Sequence, residues 1–366
     1  MAVFLRCLSN SDSSEKHCFA RFSPCGLRND LYAPFPHRKH KVVGYCKGLF
    51  CLEYDDNREI LLWNPWRNEF KFLPSSDLKP PLCPYPDCAD TCTVDVISVV
   101  RGLGFDPKSG DYKVVRFVGN FYDYDHGCSK QVEVYSLQSD CWKEIRPGKS
   151  EEYDIVDECG IYVNGFCHWI AQGKFYPHEL IVSLDLGNER FSTLSLPDAA
   201  LQSYLIESDF VLMEFKKSLG LLFYPRKGID KVLHPWVRVT TKDGRSRWTR
   251  KGIFKALVKA EKPLGYCRNG ELLLLQGFDR KLLVYDSVAG ESNKIDKIYD
   301  YPHCMQLFPY VESKVVLLAV RSPPSCRRRR FQNTSARPST LLFLKRKREM
   351  LTRKWSIPSR RRRQKL

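Results

Sequence analysis

The sequence predicts an all-β fold: a β-propeller-like stack of antiparallel blades of about 50 residues, followed by a disordered basic C-terminal tail. Three observations carry that prediction. Short apolar strands that end in an aromatic residue or Leu, then a polar turn, then a Trp or Phe, recur along the chain; the recurrence is nearly periodic; and no long segment of helical hydrophobic period interrupts it. The unit appears as Leu61-Leu62-Trp63-Asn64-Pro65 with Phe70, Val134-Tyr135-Ser136 with Trp142, Ser183-Leu184-Asp185 with Phe191, Pro235-Trp236-Val237 with Trp248, and Val284-Tyr285-Asp286 without the later aromatic. From Tyr135 the steps to Leu184, Trp236 and Tyr285 are each about 50 residues, a regularity that stacked repeats produce. The step from Trp63 to Tyr135 is longer and holds a Pro-rich insert.

The clearest unit runs from Gly102 to Ile145. Gly102 to Phe105 reads as a strand, and Asp106-Pro107-Lys108-Ser109-Gly110 as a turn. Asp106 is suited to bond the backbone two residues on, Pro107 presets φ, and Gly110 accepts positive φ. Asp111 to Arg116, Val132 to Leu137 and Trp142 to Ile145 follow as strands, making one four-stranded antiparallel unit. A second marker, Gly before an apolar pair, opens other units at Gly44 and Gly48, at Gly160 and Gly165, and at Gly265 and Gly270.

In chain order, residues 1–44 read as a strand pair and a polar connector with Pro34, Pro36 and the basic run His37 to Lys41. Residues 45–320 read as the propeller-like domain, with 45–74 its first clear repeat. The insert from 75 to 101 contains Pro80, Pro81, Pro84 and Pro86, which do not fit inside a central strand. Lys314 to Val320 is read as the last strand, and 321–366 as the tail.

The net charge of +17 is misleading as a bulk number. Residues 321–366 hold 17 Lys and Arg and one acid, Glu349, whereas residues 1–320 hold 42 basic against 41 acidic side chains, a net of +1. Any polyanion binding is therefore expected from the tail, in Arg327, Arg328, Arg329 and Arg330, in Lys345, Arg346, Lys347 and Arg348, and in Arg360, Arg361, Arg362 and Arg363. A second reading takes the tail as a read-through or alternative exon without a selected role. No apolar run reaches the ~18 residues of a membrane span. The stretch Ala2 to Leu5 before Arg6 is too short for a secretory signal, so an intracellular protein of nucleus, cytoplasm or both is expected. Fifteen Cys then read as reduced, buried thiols. Cys83, Cys88 and Cys92 lack the second Cys/His pair of a zinc site, and no metal or cofactor is expected.

The candidate contact surface is the loop holding Phe121, Tyr122, Asp123, Tyr124 and Asp125, dense in aromatics and acids. Two readings stand: a surface for a partner protein, or aromatics folded back onto the blade rim. The acidic stretch around Glu151, Glu152, Asp157 and Glu158 reads as a solvated loop, and His168 beside Trp169 as a hydrogen-bonded core residue. No catalytic arrangement emerges. Gly102-x-Gly104 lacks the third Gly of a dinucleotide fingerprint, His178-Glu179 lacks a second zinc-binding His, and no Gly-x-Ser-x-Gly elbow occurs.

Taken in order, several motifs resemble the F-box-associated domain of plant F-box proteins, including the self-incompatibility-locus type. They are Gly48-Leu49-Phe50-Cys51, Leu62-Trp63-Asn64-Pro65, Gly104-Phe105-Asp106-Pro107 with Asp111 to Val115, Val132 to Leu137 with Trp142, Asn164 to Trp169, Ser183-Leu184-Asp185 and Tyr310 to Ser313. The resemblance covers roughly residues 1–318. It implies a substrate-recognition domain without enzymatic activity, of the kind found in SCF-type cullin-RING ubiquitin ligases, with a protein target as partner. The helical F-box that holds a Skp-type adaptor, and through it a cullin, has no counterpart before Gly48, so those partners are expected only with an upstream F-box. A nuclear polyanion- or nucleic-acid-binding protein acting through the tail is the alternative.

Overall fold

The computed structural model describes residues 2–317 except 12–13, 24–25, 32, 36–37, 55–57, 79–94, 122–129, 149–151, 158, 174–178, 198–207, 226–231, 241–245, 254–259, 268–271, 278–281, 287–290 and 296–301. For 2–31, 95–100, 119–121, 130, 208, 267, 272–276, 291–295 and 302–305 it describes the backbone alone.

The described residues form six antiparallel sheets, each, with one exception, built from one continuous stretch of the chain. Blade 1 is β4 (His40–Cys46), β5 (Leu49–Tyr54), β6 (Ile60–Asn64) and β7 (Glu69–Phe72). Blade 2 is β8 (Asp95–Asp106), β9 (Asp111–Phe121), β10 (Lys130–Ser136) and β11 (Cys141–Ile145). Blade 3 pairs both β12 (Tyr153–Ile155) and β13 (Ile161–Val163) with β14 (Phe166–Gly173), then adds β15 (Glu179–Asp185) and β16 (Arg190–Leu194). Blade 4 is β17 (Ser208–Phe215), β18 (Ser218–Pro225), β19 (His234–Thr240) and β20 (Ser246–Arg250). Blade 5 is β21 (Ala260–Cys267), β22 (Leu272–Gly277), β23 (Leu282–Asp286) and β24 (Glu291–Ile295). The exception is blade 6, where the last strand, β25 (Pro302–Tyr310), pairs with β1 (Ala2–Ser11), followed by β2 (Ser14–Ser23) and β3 (Gly26–Leu31).

The apolar runs follow from blades stacked face to face. Side chains alternate across a strand, so a sheet covered on both faces needs apolar residues at successive positions. In β6 all five residues are buried. Ile60 and Leu62 enter the seam with blade 2, whereas Leu61 and Trp63 enter the seam with blade 6. In blade 3, Cys167, Trp169, Ala171, Leu180, Val182 and Leu184 face blade 2, and Ile170 and Ile181 face blade 4. First strands pack against first strands around the centre. At the narrow inner edge a Cβ on Gly44 of β4 would lie 2.4 Å from the Leu103 backbone nitrogen of β8. That is the use of one of the glycine markers read from sequence. The ring closes where Phe308 of β25 meets Phe50 and Tyr45 of blade 1, with ring centroids 5.2 and 5.7 Å apart.

Four features differ from the sequence reading. Residues 1–44 supply three strands and the start of β4, and β1 joins a strand from the far end of the fold, a pairing that leaves no local pattern. The insert ends at Val94, because the proline-free run from Asp95 onward extends β8. Tyr153 to Ile155 form a short strand within the stretch read as an acidic loop. The last strand is Pro302–Tyr310, not Lys314 to Val320; its prolines fit because β25 is an edge strand. Residues 311–317 instead form a strap across blade 1, where Asn64 Nδ2 donates to the Ser313 and Val315 carbonyls at 3.0 and 2.8 Å. The Leu317 amide donates to Glu69 Oε2 at 2.9 Å, and Leu317 itself is buried.

Candidate functional site

Antiparallel order sorts the connections onto two faces. Turns joining first to second and third to fourth strands emerge on one, the hairpin face. Turns joining second to third strands, and each blade to the next, emerge on the other, the loop face. Asp95, the first residue of β8, pairs with Phe121, the last of β9, and Lys130 of β10 pairs with Gly119. The ends of blade 2 thus bring the Pro-rich insert and the aromatic stretch to one edge of the loop face. The backbone of Phe121 ends β9; Tyr122, Asp123, Tyr124 and Asp125 lie outside the described residues, as do Cys83, Cys88, Cys92 and every basic-tail residue named above.

The root of the insert is described and is tied to blade 2. Trp142 Nε1 donates to the Pro74 carbonyl at 2.8 Å, and Ser76 Oγ donates to Glu133 Oε2 at 2.5 Å. The Leu78 amide donates to Ser76 Oγ at 3.0 Å. Glu133 pairs with Arg116, whose guanidinium lies 4.8 Å from the centre of the Trp142 ring. Arg116, Glu133 and Trp142 sit on adjacent strands, so one polar cluster fixes where the insert leaves blade 1. Buried charge is tolerated only when paired and hydrogen-bonded in this way. Trp248 repeats the device, donating to the Ser195 carbonyl at 2.8 Å. The Trp that recurs in the sequence pattern is therefore a cross-blade donor. Nearer the centre, Arg101 Nη1 donates to the Asp157 carbonyl at 2.5 Å, and Asp157 Oδ2 accepts the Ile170 amide at 2.7 Å. Asp157, read from sequence as solvated, holds the approach to β13.

On the hairpin face of blades 1 to 3 the turns are short and closed. Asp106 Oδ1 accepts the Lys108 amide at 2.9 Å, the bond two residues on that the sequence implied, and Gly110 has φ 71. Asn64, Ser136 and Asp185 accept backbone amides in the corresponding turns after third strands. Cross-blade ion pairs join these turns. Lys71 Nζ lies 2.9 Å from Asp140, which also accepts the Tyr135 hydroxyl at 2.7 Å. Lys113 reaches Asp106 of its own blade and Glu189 of blade 3, both at 3.3 Å, and Lys143 reaches Glu189 at 2.6 Å. Burial alone would raise the Asp106, Asp140 and Glu189 carboxyls; the hydrogen bonds they accept outweigh it and hold all three below the ordinary carboxylate range.

The buried thiols and the buried imidazole are held in their neutral forms. Burial raises the thiols of Cys46, Cys51 and Cys167, keeping them protonated and unreactive. Burial, with the Arg238 charge, lowers His168 to about 3, so it is neutral, bonded with Ser183 Oγ at 2.7 Å. Among the described residues no group of three His, Cys, Asp or Glu is placed to hold a metal. No described helix is long and apolar enough to cross a membrane. An open groove of about 460 Å³ lies at the rim between blades 2 and 3, lined by Lys143, Ile145, Asn188 and Phe191 among others.

Residues 26–314 match the family model described as the F-box associated beta propeller domain. Among curated proteins, the chain is 28% identical over 213 residues to "Putative F-box protein At3g23260" of Arabidopsis thaliana, covering 58% of this chain and 52% of that protein. It is 30% identical to "F-box/kelch-repeat protein At3g23880" of the same plant, covering 43% and 39%. "Putative F-box/kelch-repeat protein At3g22870", also of Arabidopsis, matches at 23% over 82% and 72%. The chain thus spans about half or less of the first two relatives' own length.

Proposed function

The chain belongs to the F-box associated β-propeller domain family, and on that premise we propose that it is the protein-recognition part of an F-box protein, selecting a target for an SCF-type cullin-RING ubiquitin ligase. The observation that carries this reading is the family match over 26–314, which spans most of the six-sheet ring. Such a ring is a rigid body whose connections vary without disturbing the stacked seams. On this reading the target docks on the loop face of blade 2, where the paired strand ends Asp95 and Phe121 border the long connection between β7 and β8, positions 73–94, and the shorter one between β9 and β10, positions 122–129. Aromatics supply contact area at low entropic cost, and Asp123 and Asp125 favour a basic partner surface. Catalysis belongs to other subunits. A Skp-type adaptor and cullin join only through an F-box, and residues 2–46, largely strands β1 to β4, do not supply that helical element.

The test uses the full chain as bait in a plant extract, followed by fusion of a relative's F-box ahead of it. The expected result is a discrete captured protein that becomes ubiquitin-modified when the fusion meets adaptor, cullin and RING subunits. Capture of polyanions alone, lost as salt rises, would overturn the reading.

A further inference from the structure

Three inner hairpins turn through two residues with left-handed backbone: Lys47 (φ 43) with Gly48 (φ 86), Asn164 (φ 47) with Gly165 (φ 89), and Lys216 (φ 48) with Lys217 (φ 61). Tight hairpins of this kind need positive φ at both positions, and Asn-Gly is the low-strain solution. A lysine there is held against the contact between its Cβ and the following carbonyl. Blade 4 alone among these three puts a charged residue at both positions.

No ion pair forms at Lys216 or Lys217 among the described residues, and both are exposed. Lys216 Nζ sits 5.7 Å from the Phe215 ring. The turn is nevertheless fixed in place, because the Lys217 carbonyl accepts Asn164 Nδ2 of blade 3 at 2.5 Å. The charges are thus mounted on a rigid backbone. On the same face Lys47 spans the Phe105 ring, its amine 3.6 Å from the centroid. β13 of blade 3 packs on both β4 and β17, so the first turns of blades 1, 3 and 4 border the same inner mouth. Desolvation raises the Glu214 carboxyl, although its surface is open to solvent, and the Lys217 charge lowers it in part. Strain held at an exposed and clamped turn, with both amines outside any ion pair among the described residues, points to use rather than to stability.

We infer that the Lys216-Lys217 turn, with Lys47 across the inner mouth, docks an acidic peptide segment of a partner protein. The surface lies on the face opposite the one proposed for the target and does not rest on that reading. A backbone already fixed leaves only the side chains to order when carboxylates dock, and rim charges of this kind speed and orient association.

The probe is a synthetic peptide of alternating Asp and Glu, with a Gln peptide as control. It is added to the full chain and read by lysine acetylation and mass spectrometry, which separates this site from the basic tail. The expected result is slower acetylation of Lys47, Lys216 and Lys217 with the acidic peptide only, while Lys143, already paired with Glu189, is unchanged. Protection confined to the tail lysines would overturn the proposal. The double variant Lys216→Asn with Lys217→Gly installs the turn that blade 3 already uses. It is expected to raise Tm by about 2 °C or more while the peptide concentration that half-protects Lys47 rises about tenfold. A raised Tm with unchanged protection of Lys47 would assign the lysines no docking role.

Discussion

The two faces of the ring are built on opposite principles. On the hairpin face of blades 1 to 3, strands are joined by turns of a few residues, and side chains such as Asn64, Asp106 and Asp185 are committed to backbone amides. On the loop face, connections grow as long as positions 73–94, and the polar cluster of Arg116, Glu133 and Trp142 holds only the root of that longest one. One face specifies residues because its geometry allows few; the other specifies where a segment leaves the body and lets its content vary. Stability and recognition are thereby separable, and each of the following results breaks or sharpens that separation.

The largest effect is expected at Gly48. Its φ of 86 and a Cβ position 2.3 Å from the Val311 carbonyl leave no room for a side chain against the strap. Gly48→Ala should destabilise the ring by about 3 kcal/mol in urea unfolding; a loss within experimental error would mean that the strap is not a fixed part of the fold.

Next is the response to acid. His168 is lowered to about 3 by burial and by the Arg238 charge, against an ordinary value of 6.5. The unfolded chain therefore takes up a proton as pH falls below the ordinary value while the folded chain does not. Stability is lost across that window, by about 2 kcal/mol at pH 5 relative to neutral. His168→Gln should flatten this part of the profile. Lower down, the depressed carboxyls of Asp106, Asp140 and Glu189 contribute stability present above about pH 4 and lost as pH falls further.

Smaller effects separate rim from root. Trp142→Phe removes the donor to the Pro74 carbonyl and should cost about 1 kcal/mol, with faster hydrogen exchange at the Leu78 amide. Lys71→Met, which leaves Asp140 half exposed with Tyr135 still donating, should cost under about 1 kcal/mol.

What was legible in the sequence follows the same division. Asp106, Gly110 and the recurring Trp were readable because a turn or a cross-blade donor demands a particular residue type at a particular offset. Runs such as Leu61 to Trp63 were readable as strands of a repeated unit. The pairing of β1 with β25 was not readable, since it depends on ring closure between distant parts of the chain. The Lys71 pair with Asp140 and the Asn64 bonds to the strap were hidden for the same reason, spanning 69, 249 and 251 positions. Of the contact residues proposed from sequence, only the backbone of Phe121 lies within the described residues. Their case rests on composition and on the edge to which β8, β9 and β10 deliver them.

The most direct measurement is therefore made on that edge. Phe121, Tyr122 and Tyr124 are changed together to Ala in the full chain, and partner affinity and thermal stability are read on the same preparation. Separable faces predict that affinity for the captured partner falls by about 2 kcal/mol or more while Tm stays within a degree or two of the parent. A variant that keeps its partner and melts markedly earlier would contradict the account, placing these aromatics in the blade rim and recognition elsewhere.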